Sequence, residues 1–233
     1  MEMRDMNRQL WRWPGFVVLA AALTVLSGCM TGTGVKIRPE ADGGKSPSSE
    51  AAVAIDASVR RLDDGREGFS IMETSRMDGA SRSNFERAVA MMKEGDFARA
   101  VELLEKVIER SPGVTAPYIN IAIAYERIGK PEKAEENLKT ALVMVPGHPV
   151  AGNEYGLLLR KAGRFAEART VYEKTLGIFP EYLPAHKNLG ILCDLYLNDP
   201  ACAIEQYEIY SEAAPGDEQV RIWIADLRIR LGR

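Results

Sequence analysis

Thr115-Ala-Pro-Tyr-Ile-Asn-Ile-Ala-Ile-Ala-Tyr-Glu-Arg-Ile-Gly-Lys-Pro-Glu-Lys-Ala-Glu-Glu-Asn-Leu-Lys-Thr-Ala-Leu-Val-Met-Val-Pro-Gly-His148 is the stretch that decides the fold. Ile121, Ala122 and Tyr125 precede Gly129 at helical spacing, and Ala134, Leu138 and Ala141 follow it in the same way, so the stretch predicts two antiparallel amphipathic helices joined by a glycine turn. The small residues Ala122, Ala134 and Ala141 let the helix axes approach closely, and Pro146 stops the second helix. Working outward, Gly95-Asp-Phe, Gly129-Lys-Pro and Gly163-Arg-Phe recur at an interval of 34, as do Pro112, Pro146 and Pro180. A hairpin with two apolar faces cannot bury both alone, so copies stack and stability propagates from one unit to the next. The prediction is an all-α solenoid with units at 81–114, 115–148, 149–182 and 183–216. The fourth unit needs one inserted residue around Leu197-Asn-Asp-Pro200 before Ala203, Tyr207 and Pro215 fall back into register. Residues 217–233, with Val220, Ile224, Leu227 and Leu231 on one stripe, form the capping helix that closes the stack.

This 34-residue unit resembles the tetratricopeptide repeat, with Tyr118, Ile121, Ala122, Tyr125, Gly129, Ala134, Leu138, Ala141 and Pro146 at the pattern positions. The resemblance implies a concave groove lined by the first helix of each unit. Carried over position by position, that groove is Phe85, Asn120, Ile123, Arg127, Asn153, Leu157, Arg160, Lys187, Asn188 and Ile191. Asn120 and Asn188 stand where peptide-binding relatives use asparagine, while Glu154 replaces it in the third unit. An asparagine amide both donates to and accepts from a peptide backbone, and Arg and Lys meet carboxylates. The implied partner is a protein or peptide with an acidic residue or a free C-terminus.

The N-terminus reads as an address. Arg4, Arg8 and Arg12 precede the apolar run from Phe16 to Leu26, which is about half of what a bilayer-spanning helix needs. Leu26-Ser-Gly-Cys29 resembles the bacterial lipobox, so 1–28 is expected to be a lipoprotein signal peptide and Cys29 the lipidated N-terminus of a mildly acidic mature chain. Two or three acyl chains hold such a protein on the membrane without spanning it. Met30 rather than Asp after the cysteine implies, by the family's sorting rule, the outer membrane facing the periplasm, or the cell-membrane surface in a single-membrane host. Residues 29–80, rich in Gly, Ser, Asp and Pro, read as a flexible tether. Within it, Ala51 to Leu62 has the pattern of a transient helix, and the apolar island Phe69-Ser-Ile-Met72 reads as solvated linker, with a docking motif as the alternative.

Composition narrows the function. The chain has 233 residues and a formal net charge of −3, with Lys+Arg 30 against Asp+Glu 33, so it carries no basic excess for phosphates and nucleic acid is not an expected partner. Three cysteines and two histidines are too few and too scattered for a structural zinc site. No cofactor and no catalytic residue are expected. His186 and Cys193 share a helical face but fall where the repeat packs its own helices, which reads as core rather than as a dyad. Cys193 and Cys202 flank one hairpin turn, leaving both a disulfide and two unbridged thiols open.

The expected function is a non-enzymatic, lipid-anchored adaptor that localises a protein partner at the outer membrane. The plan of lipobox, tether and repeats resembles pilotin-type lipoproteins of pilus and secretion systems, and adaptor lipoproteins that recruit peptidoglycan-processing enzymes. The segment from Ile191 to Leu227 also resembles repeat proteins found alongside energy-transducing transport systems. The alternatives are therefore an accessory subunit of such a system, or a cell-wall enzyme or its dedicated subunit. Oligomeric state is not legible in the sequence.

Overall fold

The computed structural model describes residues 58–61, 69–73 and 75–232. The expected signal peptide 1–28, Cys29 and most of the expected tether, residues 30–57, 62–68 and 74, lie outside the described residues. Among the described residues two strands, β1 (Ser58–Arg61) and β2 (Phe69–Met72), precede nine helices. The helices are α1 (Gly79–Lys93), α2 (Phe97–Arg110), α3 (Thr115–Arg127), α4 (Pro131–Met144), α5 (Pro149–Lys161), α6 (Phe165–Ile178), α7 (Leu183–Leu195), α8 (Pro200–Ala213) and α9 (Glu218–Arg230). They form four antiparallel hairpins, α1/α2 to α7/α8, stacked in order and closed by α9. No helix among the described residues is long and apolar enough to cross a membrane.

Each hairpin turns on a residue in the left-handed region. Gly95, Gly129 and Gly163 have φ of 84°, 74° and 76°, which costs glycine nothing for want of a Cβ. In the fourth hairpin the turn is one residue longer and Asn198 takes this role at φ 49°, consistent with the tolerance of asparagine for that region. A disulfide joins Cys193 of α7 to Cys202 of α8 across this longer turn, with Cα atoms 5.9 Å apart.

Inside the hairpins one contact is solved in two ways. Ala88 with Leu104 and Ala122 with Leu138 lie in one buried cluster at the first two repeats. At the corresponding positions the third and fourth repeats carry Gly156 with Tyr172 and Gly190 with Tyr207. A Cβ on Gly156 would come within 2.5 Å of the Tyr172 ring, and one on Gly190 within 2.5 Å of the Tyr207 ring. The volume lost on the first helix is returned by the aromatic ring on the second, which keeps the interior close-packed. Val220, Ile224 and Leu227 of α9 are buried against the last hairpin, and the Trp223 ring packs 5.3 Å from that of Tyr207.

The strands correct the expectation for the end of the tether. β1 and β2 pair antiparallel, Ser58 opposite Met72 and Arg61 opposite Phe69, so this part of the Ala51–Leu62 stretch is extended rather than helical. The Phe69 island docks: its ring lies edge-on to Phe179 at 5.2 Å and Tyr182 at 5.9 Å, on the loop between α6 and α7. The packed ring and the β1–β2 pairing together offset the entropy of ordering the segment, and neither contact is visible in composition.

Candidate functional site: the concave wall

First helices approach one another, α1 to α3, α3 to α5 and α5 to α7, whereas no two second helices do. The inner wall of the solenoid is therefore built from α1, α3, α5 and α7. A shallow recess opens on it between α3, α4 and α5, lined among others by Ile123, Glu126, Glu154, Leu157 and Lys161. Lys161 Nζ bridges 2.7 Å to Glu126 across its rim. Ile123 and Leu157, both expected in the groove, are thus side by side.

Arg160, Asn188 and Asn153 form a polar ladder along the wall. Asn188 donates Nδ2 to Asn153 Oδ1 at 2.9 Å, and Arg160 Nη2 points to Asn188 Oδ1 at 3.5 Å, the limit of a hydrogen bond. Asn153 donates in turn to Glu154 Oε1 at 3.1 Å. Burial raises the Glu154 carboxyl above the ordinary carboxylate range, and the Asn153 bond opposes this. The Arg160 guanidinium lies 6.0 Å from the Tyr196 ring centroid, and its Nη1 is buried with no acceptor among the described residues. A guanidinium has five donors in a rigid fork, so this ladder holds a donor that the fold does not use.

The remaining expected groove residues divide. Asn120 turns back to its own helix, donating to the Ala116 carbonyl at 2.9 Å, and takes no part in the ladder. Arg127 is exposed and stacks 5.7 Å from the Phe97 ring. Phe85 and Ile191 are half-buried against the cores of their hairpins. Lys187 is tied down: its Nζ lies 2.6 Å from Asp217 and over the rings of Tyr210 and Trp223 at 5.1 and 5.8 Å. A cation so paired has little left to offer a ligand carboxylate. Glu126 and Tyr196 are wall residues that the groove positions missed; the exposed aromatic in the lengthened fourth turn is the sequence signal for the second.

The two histidines are structural. His186 lies between the Pro180 carbonyl, 2.7 Å from Nε2, and the Gln206 side-chain amide, 2.8 Å from Nδ1. Cys193, the other half of the dyad considered from sequence, is bonded to Cys202. His148 is buried at the N-terminus of α5, where Nδ1 accepts from the Ala151 amide at 3.4 Å, and desolvation lowers its pKa to about 4. Glu135 ties the second hairpin to the third, receiving Lys139 and Arg164 at 2.7 Å and the Tyr155 hydroxyl at 3.0 Å. These bonds, Lys139 foremost, pull its carboxyl down to about 2.

The hairpin geometry, the glycine turns and the inner wall of first helices define an α-solenoid of tetratricopeptide type. Residues 91–152 match the family model described as "Tetratricopeptide repeat". The chain is 30% identical over 99 residues to the small glutamine-rich tetratricopeptide repeat-containing protein 2 of Mycosarcoma maydis, covering 42% of this chain and 28% of that protein. It is 24% identical over 155 residues to the type IV pilus assembly protein PilF of Pseudomonas aeruginosa, covering 64% of this chain and 60% of that one. It thus spans less than two thirds of the length of either relative. Among solved structures, Pseudomonas aeruginosa PilF superposes with a TM-score of 0.60 at 23% identity, over 65% of this chain and 68% of that one. MamA from Desulfovibrio magneticus RS-1 superposes at 0.57 and 18% identity, over 67% of this chain and 88% of that one.

Proposed function

We propose that the protein is a non-enzymatic adaptor that holds a protein partner on its concave wall and, through a lipidated Cys29, localises that partner at the outer membrane as part of an envelope assembly. The observation that carries the reading is the Arg160–Asn188–Asn153 ladder beside an apolar recess, with one guanidinium donor left without an acceptor. An extended or helical segment would lay apolar side chains on Ile123 and Leu157 and bring a carboxylate to Arg160. A charge-assisted bond there stabilises the complex by about 1.5–3 kcal/mol, because the desolvated donor gains the partner it lacks. Likeness to a protein named for type IV pilus assembly supports an envelope role. The Leu26-Ser-Gly-Cys29 motif supports the anchor.

Two linked measurements test this in the native host. Labelled palmitate is expected to enter the wild-type chain and to be absent from Cys29→Ala; equal labelling of both removes the anchor. Crosslinking and affinity purification are expected to recover one partner with the wild type and to lose it with Leu157→Ala, Arg160→Ala, Asn188→Ala combined. Undiminished recovery removes the concave wall as the contact.

A further inference from the structure

A second surface of the solenoid is already occupied, by the chain itself. β2 and the residue after it, Phe69-Ser-Ile-Met-Glu73, lie along the edge formed by the loops between repeats. Side chains of an extended segment alternate between two faces, which places Phe69, Ile71 and Glu73 on one face and Met72, 47% exposed, on the other. At one end Phe69 fills the socket of Phe179 and Tyr182 at the junction of the third and fourth repeats. At the other end Glu73 Oε1 accepts from the Thr115 backbone N–H at 2.7 Å and from its hydroxyl at 2.5 Å.

Glu73 supplies something the local sequence lacks. The residue at the N-cap of α3 is Val114, whose side chain makes no capping bond, so the first amides of that helix would be short of an acceptor. A carboxylate at a helix N-terminus also meets the positive end of the helix dipole. The chain is held close just beyond: a Cβ on Gly113 would meet Ser75 Cβ at 2.6 Å. An aromatic socket and a helix N-terminus thus receive a phenylalanine and a glutamate four residues apart, and the spacing is what an extended strand bridges.

We infer that the inter-repeat loop edge is a second ligand surface, separate from the concave wall, that recognises an extended protein segment carrying an aromatic residue four positions before a carboxylate, and that Phe69–Glu73 is its intramolecular occupant. A partner segment of that pattern takes the edge by displacing the chain's own. Displacement frees the described residues before Asp78, the N-cap of α1. An occupant on the same chain is present at about millimolar effective concentration, so a segment with intrinsic affinity of tens of micromolar binds the wild type at least tenfold more weakly than a chain whose occupant has been disabled.

The test uses the full chain and a fluorescent peptide of residues 67–73. Phe69→Ala with Glu73→Ala is expected to bind it at least tenfold tighter than the wild type, by anisotropy. Gly113→Ala, which crowds the segment near Ser75 and leaves the socket intact, is expected to tighten binding in the same direction. Binding to the double variant is expected to vanish when the peptide's phenylalanine is replaced by alanine, and to fall sharply with Tyr182→Ala in the protein. Asn188→Ala on the concave wall is expected to leave it unchanged, which separates this surface from the proposed groove. Equal affinity of wild type and double variant, no binding to either, or binding indifferent to the phenylalanine overturns the inference.

Discussion

Gly156→Ala is expected to destabilise the protein by about 2 kcal/mol, although alanine in a helix interior is by itself worth about 1 kcal/mol more than glycine. The reason is the Tyr172 ring, fully buried, with three ring atoms between 2.5 and 2.8 Å from where the new Cβ would stand. A buried ring has nowhere to swing, so the overlap is relieved only by moving α5 away from α6. Tyr172→Leu alone is expected to cost about 3 kcal/mol through the cavity it opens over Gly156. The two together recreate the alanine–leucine pair of the first and second repeats and remove a buried hydroxyl without a partner. The double variant is therefore expected to lie within about 1 kcal/mol of the wild type, a coupling of several kcal/mol for residues in direct contact. Urea unfolding followed by circular dichroism measures all four chains. Additive losses would show that the glycine–tyrosine exchange is not what sets the distance between these helices.

The second large effect is on acid stability. The His148 imidazole has a folded-state pKa of about 4 because burial disfavours its charged form, against about 6.5 in an unfolded chain. Between those values the unfolded state binds more protons, so stability rises with pH through this window. The contribution is complete above about pH 6.5 and is lost progressively as pH falls toward 4. From pH 7.5 to pH 4.5 it amounts to roughly 2–3 kcal/mol. His148→Asn keeps a side-chain acceptor for the Ala151 amide and does not titrate. Unfolding free energies at the two pH values are expected to differ by roughly 2–3 kcal/mol more for the wild type than for this variant. An identical pH dependence of the two chains would contradict the assignment.

What the sequence showed and what it hid follow from the range of the interactions. The unit Thr115–His148 is legible because every contact that makes the hairpin falls within a few tens of residues and repeats with the period of the chain. The inserted residue of the fourth unit is legible for the same reason, and Asn198 shows how the turn absorbs it. Lys187 reads as a free groove cation because the residue that neutralises it, Asp217, is the N-cap of α9, two helices and 30 residues on. The asparagine column expected from Asn120 and Asn188 is broken by Glu154, and the ladder instead uses Asn153, one position earlier. Such a shift depends on how neighbouring first helices are rotated against each other, which a repeat pattern does not specify. Glu73 is hidden furthest: its bond to Thr115 spans 42 residues, and the only local hint is a valine where a helix wants a capping residue.

Site-specific photo-crosslinking in the native host shows whether the protein acts by holding a partner on its concave wall. A photoreactive side chain is placed in turn at Leu157 and Ile191 on the first helices, and at Val143 and Lys174 on the second. One shared adduct is expected from the first pair, lost with Arg160→Ala, Asn188→Ala, and none is expected from the second. Adducts from Val143 and Lys174 alone, or none from any position, would contradict it.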